Sequence, residues 1–177
     1  MISKTMQDAI NKQITREFYS SYLYLSMAAY FEDLSLPGFA QWMRVQVQEE
    51  SAHAMIFFNY ICDRGGRVVL GAIDQPDIEF KSPLDVFEKT LEHEQKVTAW
   101  INELMDLAIK ENDHATRSLL NWFVDEQVEE EANDNTIIAR LKMMGKDMSG
   151  LFQFDKELGA RVYNVPAPLA AKQPTAA

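Results

Sequence analysis

The sequence predicts an all-α chain: a four-helix bundle with a long crossover between the second and third helices and a short fifth helix. Three observations carry that prediction. Four long runs repeat apolar residues at three- and four-residue steps, the period of a helix with one buried face. The breaks between the runs are short, long and short, so the helices pair as two antiparallel hairpins separated by a connection of bundle length. Each run also brings a carboxylate or carboxamide onto its own apolar stripe, where a core residue belongs: Glu17, then Glu50 with His53, then Glu94, then Gln127 with Glu130.

The first run extends from about Thr5 to Glu32, with Thr5 and Asp8 spaced like a capping box in which Asp replaces the usual Glu. Its apolar positions include Ile10, Ile14, Phe18, Leu25, Ala28 and Phe31. Asp33-Leu34-Ser35-Leu36-Pro37-Gly38 breaks the pattern, and the second run, about Gly38 to Arg64, stops at Gly65-Gly66. Phe39, Met43, Val47, Ala54, Phe57 and Ile61 form its stripe, and Glu50 and His53 fall on or beside it. No helical period survives from Arg67 to Lys81, where Val68, Val69 and Leu70 are β-prone and Gly71 and Pro76 exclude a helix. Extended at about 3.3 Å per residue, that stretch can span roughly 50 Å, against roughly 40 Å for a helix of about 26 residues. It can therefore run the full length of the bundle.

Ser82-Pro83 opens the third helix, with Ser as N-cap, Pro in the first turn and Asp85 close behind. Phe87, Leu91, Val97, Thr98, Ile101, Leu104, Met105 and Ala108 supply its stripe, with Glu94 on it. Glu111-Asn112-Asp113 is a short turn, and the fourth run goes from about His114 to Met144, ending at Gly145. Its stripe reads Leu120, Phe123, Gln127, Glu130, Asp134, Ile137 and Leu141, apolar at both ends and polar in the middle. Ser149 to Val162 predicts a fifth helix too short to hold itself together in water, so it must pack on the bundle or on a neighbouring subunit. Residues 1–163 form one domain, and the tail 164–177, with Pro166, Pro168 and Pro174, reads as disordered.

Composition bounds the function. The chain has 177 residues, 47% hydrophobic, enough to bury a full core as one domain. Its 27 acidic residues against 17 basic give a net charge of -10, a surface that repels nucleic acid phosphates and favours cations. Cys62 is the single cysteine, which excludes an internal disulfide and makes a reducing compartment the simplest setting. The opening residues lack a basic segment followed by an apolar one, and no apolar run approaches the roughly 20 residues of a membrane span. The expected location is the cytoplasm, with neither membrane nor nucleic acid as partner.

Glu50 with His53, and Gln127 with Glu130, are pairs at a spacing of three that put two side chains on one helix face. One carboxylate from each remaining helix completes a cluster of Glu17, Glu50, His53, Glu94 and Glu130, with Gln127 beside it. An isolated buried carboxylate takes up a proton, whereas several sharing a site stay ionised when a metal supplies the opposing charge. Oxygen-rich ligation with an imidazole suits iron or manganese better than structural zinc. The cluster is asymmetric, because Gln127-x-x-Glu130 stands where a second Glu-x-x-His would complete a regular di-iron bundle. One ion keeps an imidazole and the other has oxygen ligands only.

Blander readings stand beside this one. A lone Glu-x-x-His on any helix is usually a solvent-exposed coincidence, and it is the agreement of four helices that argues otherwise. His93 and His114 have no carboxylate three residues behind them on an apolar stripe and are expected at the surface or an interface. Tyr24, seven residues from Glu17 on nearly one face, is a core residue or a phenol that satisfies a cluster carboxylate. Glu129, Glu130 and Glu131, with Glu49 and Glu126, form a solvated face or a further metal site.

At these residues the sequence resembles the ferritins, specifically the non-haem ferritins of bacteria. The resemblance covers the chain to about Val162, including the stretch Asn121 to Glu131, the crossover and the short fifth helix. It implies that Glu17, Glu50 and His53 hold one iron and that Glu94 and Glu130 hold a second, with Glu50 bridging. Gln127 matches a residue behind the ligands, and Tyr24 the tyrosine beside the centre. A third iron would map to Glu49, Glu126, Glu129 and Glu130. It further implies ferroxidase activity on Fe(II) with O2 as acceptor, and storage of Fe(III) as hydrated oxide in a shell of 24 subunits. Bacterioferritins resemble the chain but carry a haem-ligating Met after the Glu of Glu-x-x-His and a His where Glu130 stands. Ser51 takes the Met position here, so no haem is expected. Animal ferritins line their threefold channels with carboxylates, whereas Arg117 and Leu120 occupy the aligned positions here, a departure from that route of iron entry. The rival readings are a ferritin-like di-iron oxygenase or peroxidase without a storage role, and a metal-free structural bundle.

Overall fold

The computed structural model describes residues 1–171. Six helices follow in order: α1 Lys4–Asp33, α2 Pro37–Asp63, α3 Pro83–Lys110, α4 His114–Met144, α5 Met148–Leu158 and α6 Ala167–Ala170. All regular structure among the described residues is helical, and none of these helices is long and apolar enough to cross a membrane. The chain divides into two compact units, one of Met1–Glu79 with the chain from Phe152 onward, the other Phe80–Leu151.

In the first unit α1 and α2 form an antiparallel hairpin around Met6, Ile10, Ile14, Met27 and Phe31 of one helix and Phe39, Met43, Ala54, Phe57 and Ile61 of the other, all buried. The cap of α1 is not the expected Thr5 with Asp8: Ser3 accepts from the Met6 amide at 3.0 Å, and Asp8 pairs instead with Lys4. Serine two residues earlier is the better cap, and it draws Thr5 into the helix. Leu25, expected on the core stripe, is about half exposed, and Leu23, Tyr24 and Met27 take the buried side. The chain leaves α2 through Gly65, whose φ of +71° costs an L side chain but not glycine.

The connection that follows is extended and laid along α1. Gln7 Oε1 accepts from the Arg67 amide at 3.0 Å, and Asn11 both accepts from the Val69 amide at 2.9 Å and donates to the Arg67 carbonyl at 3.2 Å. Thr15 Oγ1 accepts from the Gly71 amide at 3.2 Å, and Ser26 donates to the Asp77 carbonyl at 2.7 Å. Gln7, Asn11 and Thr15 are four apart, so they make one row down the helix. That row gives the extended connection its backbone partners and carries it along α1.

In the second unit α3 begins as expected, with Ser82 accepting from the Asp85 amide at 3.1 Å and Pro83 in the first turn. Asp113 caps α4 through the Thr116 amide at 3.1 Å, and Gly145 ends it at φ +56°. Every residue of the expected α4 stripe is buried, from Leu120 to Leu141. His93 departs from expectation: it is buried, edge-on to Trp100, rather than at the surface. Burial lowers its pKa to about 4, with Lys96 adding to the effect and Glu92 opposing it, so the ring is neutral at physiological pH. Periodicity alone missed this because a neutral imidazole packs as a flat, largely apolar group. His114 is exposed, as expected.

Helix α5 ends at Leu158, short of the expected Val162, because Gly159 stops it. Phe154 and Leu158 are buried while Phe152 and Val162 stay exposed. Of the tail expected to lack structure, Ala167–Ala170 forms one helical turn on the Pro166 carbonyl, where alanines favour helix; residues 172–177 lie outside the described residues.

What seats α5 is the start of α2. Leu36 gives α2 no side-chain cap, which leaves the amides of Gly38 and Phe39 without partners within their own helix. Asp155 of α5 supplies one: its Oδ1 accepts from both, at 2.8 and 2.9 Å, a buried carboxylate at the positive end of a helix. Phe154 meets Phe39 edge-on beside it, and Phe39 stacks on Phe31. The approach needs glycine, since a Cβ on Gly38 would stand 1.6 Å from the Asp155 carbonyl oxygen. Asp155→Ala is therefore expected to lower stability by about 2 kcal/mol in urea denaturation of the metal-free protein. Gly38→Ala is expected to cost more, because the methyl meets backbone that no rotamer change can clear. Midpoints equal to wild type would show that α5 adds nothing to the fold.

Candidate metal centre

Two polar clusters interrupt the apolar stripes, one in each unit. In the first, α1 supplies Glu17 and α2 supplies Glu50 and His53 one turn apart; all three are buried. Two carboxylate oxygens and one imidazole nitrogen lie within 4.8 Å of one another, and His53 Nδ1 is 3.6 Å from Glu50 Oε2. Gln13, one turn before Glu17, donates from Nε2 to Glu17 Oε1 at 2.8 Å, and Arg16 donates to Gln13 Oε1 at 3.2 Å. The other oxygen, Glu17 Oε2, is buried with no hydrogen-bond partner among the described residues. An acceptor in that state is costly unless a cation completes it.

The electrostatics agree with that geometry. Burial raises the pKa of the Glu17 carboxyl above the ordinary carboxylate range, and His53, Gln13, Glu50 and Arg16, which all pull it down, do not offset the lost hydration. A site of this kind holds a divalent cation better than it holds its own charge. Three donors, mostly oxygen, from two rigid helices form a ligand set that suits a divalent cation.

In the second unit α3 supplies Glu94 and α4 supplies Gln127, Glu130 and, one turn further, Asp134, all buried. Gln127 turns its carboxamide nitrogen toward Glu94: Nε2 donates to Glu94 Oε2 at 3.0 Å, with the Glu94 carbonyl at 3.2 Å and Thr98 Oγ1 at 3.3 Å. An amide nitrogen is no metal ligand, so Gln127 in this orientation serves Glu94. The Thr98 hydroxyl in turn donates to Glu131 Oε1 at 2.6 Å.

The remaining predicted residues sit apart from these clusters in character. Tyr24 is fully buried two turns along α1 from Glu17. Glu49 Oε2 lies 2.7 Å from Arg161 Nη2, and the Arg161 guanidinium rests over the Trp42 ring at 4.4 Å. Glu126 is half-buried and Glu129 exposed. Ser51 Oγ donates to the Val47 carbonyl at 2.7 Å and meets Ser21 Oγ at 3.0 Å. Arg117 is exposed beside His114, and Leu120 is wholly buried within the single chain.

Sequence reasoning did not single out Gln13, Thr98 or Arg161. Gln13 was findable, because a carboxamide one turn from a stripe carboxylate shares its face. Thr98 reads as part of an apolar stripe until its hydroxyl is seen to bond. Nothing local could pair Arg161 with Glu49, 112 residues away.

Comparison with known proteins places this geometry in context. The family model described as a ferritin-like domain matches residues 7–144. The bacterial non-heme ferritin of Staphylococcus saprophyticus is 44% identical over 164 residues, 93% of this chain and 98% of that protein. Its namesake from Staphylococcus aureus is 41% identical over 164 residues, 93% of this chain and 99% of that one. Among solved structures, a closed form of the Archaeoglobus fulgidus ferritin made by site-directed mutagenesis superposes with a TM-score of 0.92 at 49% identity, over 93% of this chain and 100% of that chain. An open-pore ferritin from the same archaeon gives 0.91 at 50% identity, over 92% of this chain and 100% of that chain.

Proposed function

We propose, because the chain belongs to the ferritin family, that it stores iron and has ferroxidase activity, oxidising Fe(II) with O2 at a di-iron centre inside each subunit. The Fe(III) then enters a hollow shell of 24 copies and is kept as hydrated oxide. The observation that carries this reading is the buried Glu17, Glu50 and His53 triad, with Glu17 Oε2 lacking any hydrogen-bond partner among the described residues.

In this reading Glu17, Glu50 and His53 take one Fe(II), Glu94 and Glu130 take the other, and Glu50 is shared between them. Each Fe(II) gives one electron to O2, and the anionic ligands favour the more highly charged product. Gln13 and Gln127 each hold one oxygen of a ligating carboxylate, so the other oxygen is presented in a fixed direction. Tyr24 lies beside the centre. The net charge of -10 draws cations to the protein, and a cytoplasmic setting suits its single thiol. Assembly is supported by apolar side chains that one chain leaves exposed: Tyr22, Leu25, Ile73 and Ile78 line an open groove of about 530 Å³ between α1 and the crossover. A third iron would use Glu49, Glu126, Glu129 and Glu130, and to reach Glu49 it must displace Arg161.

Aerobic addition of Fe(II) should give a shell-sized particle on size exclusion that carries far more iron than its chains have centres. Uptake that stops at a few ions per chain in a small oligomer would reject storage. Glu50→Ala is expected to slow initial Fe(II) oxidation by more than about tenfold with unchanged helical circular dichroism; a wild-type rate would reject its shared role. Arg161→Gln removes an ion pair worth on the order of 1 kcal/mol, so a third Co(II) should bind about fivefold tighter in calorimetric titration. Equal affinity with and without the arginine would show that Glu49 ligates nothing.

A further inference from the structure

We infer that Thr98 and Glu131 are positioning residues of the second iron site, acting on Glu94 through the carboxamide of Gln127. The inference rests on the ferroxidase reading and adds to it two residues outside the ligand set.

A carboxamide can present either its nitrogen or its oxygen with almost the same shape, so its neighbours decide which end faces the metal ligand. Around Gln127 the deciding neighbour is Thr98, whose hydroxyl can donate or accept. Glu131 settles that choice. A carboxylate only accepts, and at 2.6 Å from Thr98 Oγ1 it takes the hydroxyl proton in a bond of charge-assisted length. Thr98 is left with lone pairs toward Gln127, and these call for an N–H at 3.3 Å. The same nitrogen donates to Glu94 Oε2 at 3.0 Å and faces the Glu94 carbonyl at 3.2 Å. Reversed, Gln127 would set its oxygen against three acceptors. Donation therefore runs in one direction, from Gln127 to Thr98 to Glu131, and it engages one Glu94 oxygen so that the other is left to ligate.

The first cluster uses the same device with the opposite charge. There Arg16 holds the oxygen of Gln13 at 3.2 Å, which turns the Gln13 nitrogen onto Glu17 Oε1 at 2.8 Å. In each unit a glutamine amide holds a glutamate, and a charged group fixes the amide. Close packing does not do this for Thr98. Thr98, Gln127 and Glu131 line a cavity of about 350 Å³ with Ile101, Val124 and Val128, so the hydroxyl owes its direction to its hydrogen bonds.

Thr98→Val removes the hydroxyl at nearly constant shape, and Thr98→Ser keeps it. The metal-free protein, titrated with Co(II) and followed by its visible absorption, is expected to fill the two sites of the di-iron centre before the weaker third site. In Thr98→Val the second ion should bind about tenfold more weakly with an altered spectrum, the first ion being unaffected, and Thr98→Ser should restore both. The crystal structure of metal-free Thr98→Val should show the Gln127 nitrogen turned away from Glu94. Wild-type affinity for the second ion, equal weakening of both ions, or a Gln127 still donating to Glu94 would each overturn the inference. A wild-type protein that binds no Co(II) would reject the ferroxidase reading, and the metal-free crystal structure would still decide the relay.

Discussion

Four glutamates that water barely reaches, Glu17, Glu50, Glu94 and Glu130, impose the condition the rest of the structure answers to. Taking a carboxylate out of water costs several kcal/mol even after relaxation. Long helices are the element that can meet such a cost. Every backbone group within them is already paired, so the polar capacity of the interior is left for side chains. The apolar turns above and below, such as Ile10 and Ile14 before Glu17 and Ile137 and Leu141 after Glu130, supply the burial that keeps a polar middle in place. Gln13 and Gln127 then limit the freedom of the carboxylates they touch.

Helix α1 illustrates how much one element is asked to do. One face contributes core residues and Glu17; another carries Gln7, Asn11, Thr15 and Ser26, which hold the crossover. The crossover has no sheet to join, and side chains on a fixed helical row replace the strand partners it lacks. Its exposed apolar residues, Val69, Leu70, Ile73 and Ile78, are therefore free to serve as surface.

What could be read from the sequence was what repeats over short distances. The α4 stripe from Leu120 to Leu141, the Ser82-Pro83 start, the stop at Gly145 and the pairing of Glu50 with His53 all follow from spacing within a few turns, and all are where spacing puts them. The cap of α1 was misjudged because two plausible caps stand close together, and geometry prefers Ser3. Three features had no local signal. Asp155 reaches the Gly38 amide across 117 residues, Thr98 reaches Glu131 across 33, and Arg161 reaches Glu49 across 112. Such partners are chosen by tertiary proximity, and composition is blind to it. His93 escaped for a different reason, since the character of an imidazole depends on whether its surroundings let it hold a proton.

The segment after α4 makes two attachments to α2, Asp155 at its first turn and Arg161 on Glu49, the residue next to Glu50. It acts as a latch with two catches, one mechanical and one electrical. Lifting it strips a helix of its cap and, in the same motion, uncovers the negative charge of Glu49, so the end of the described chain serves both the start of α2 and its middle.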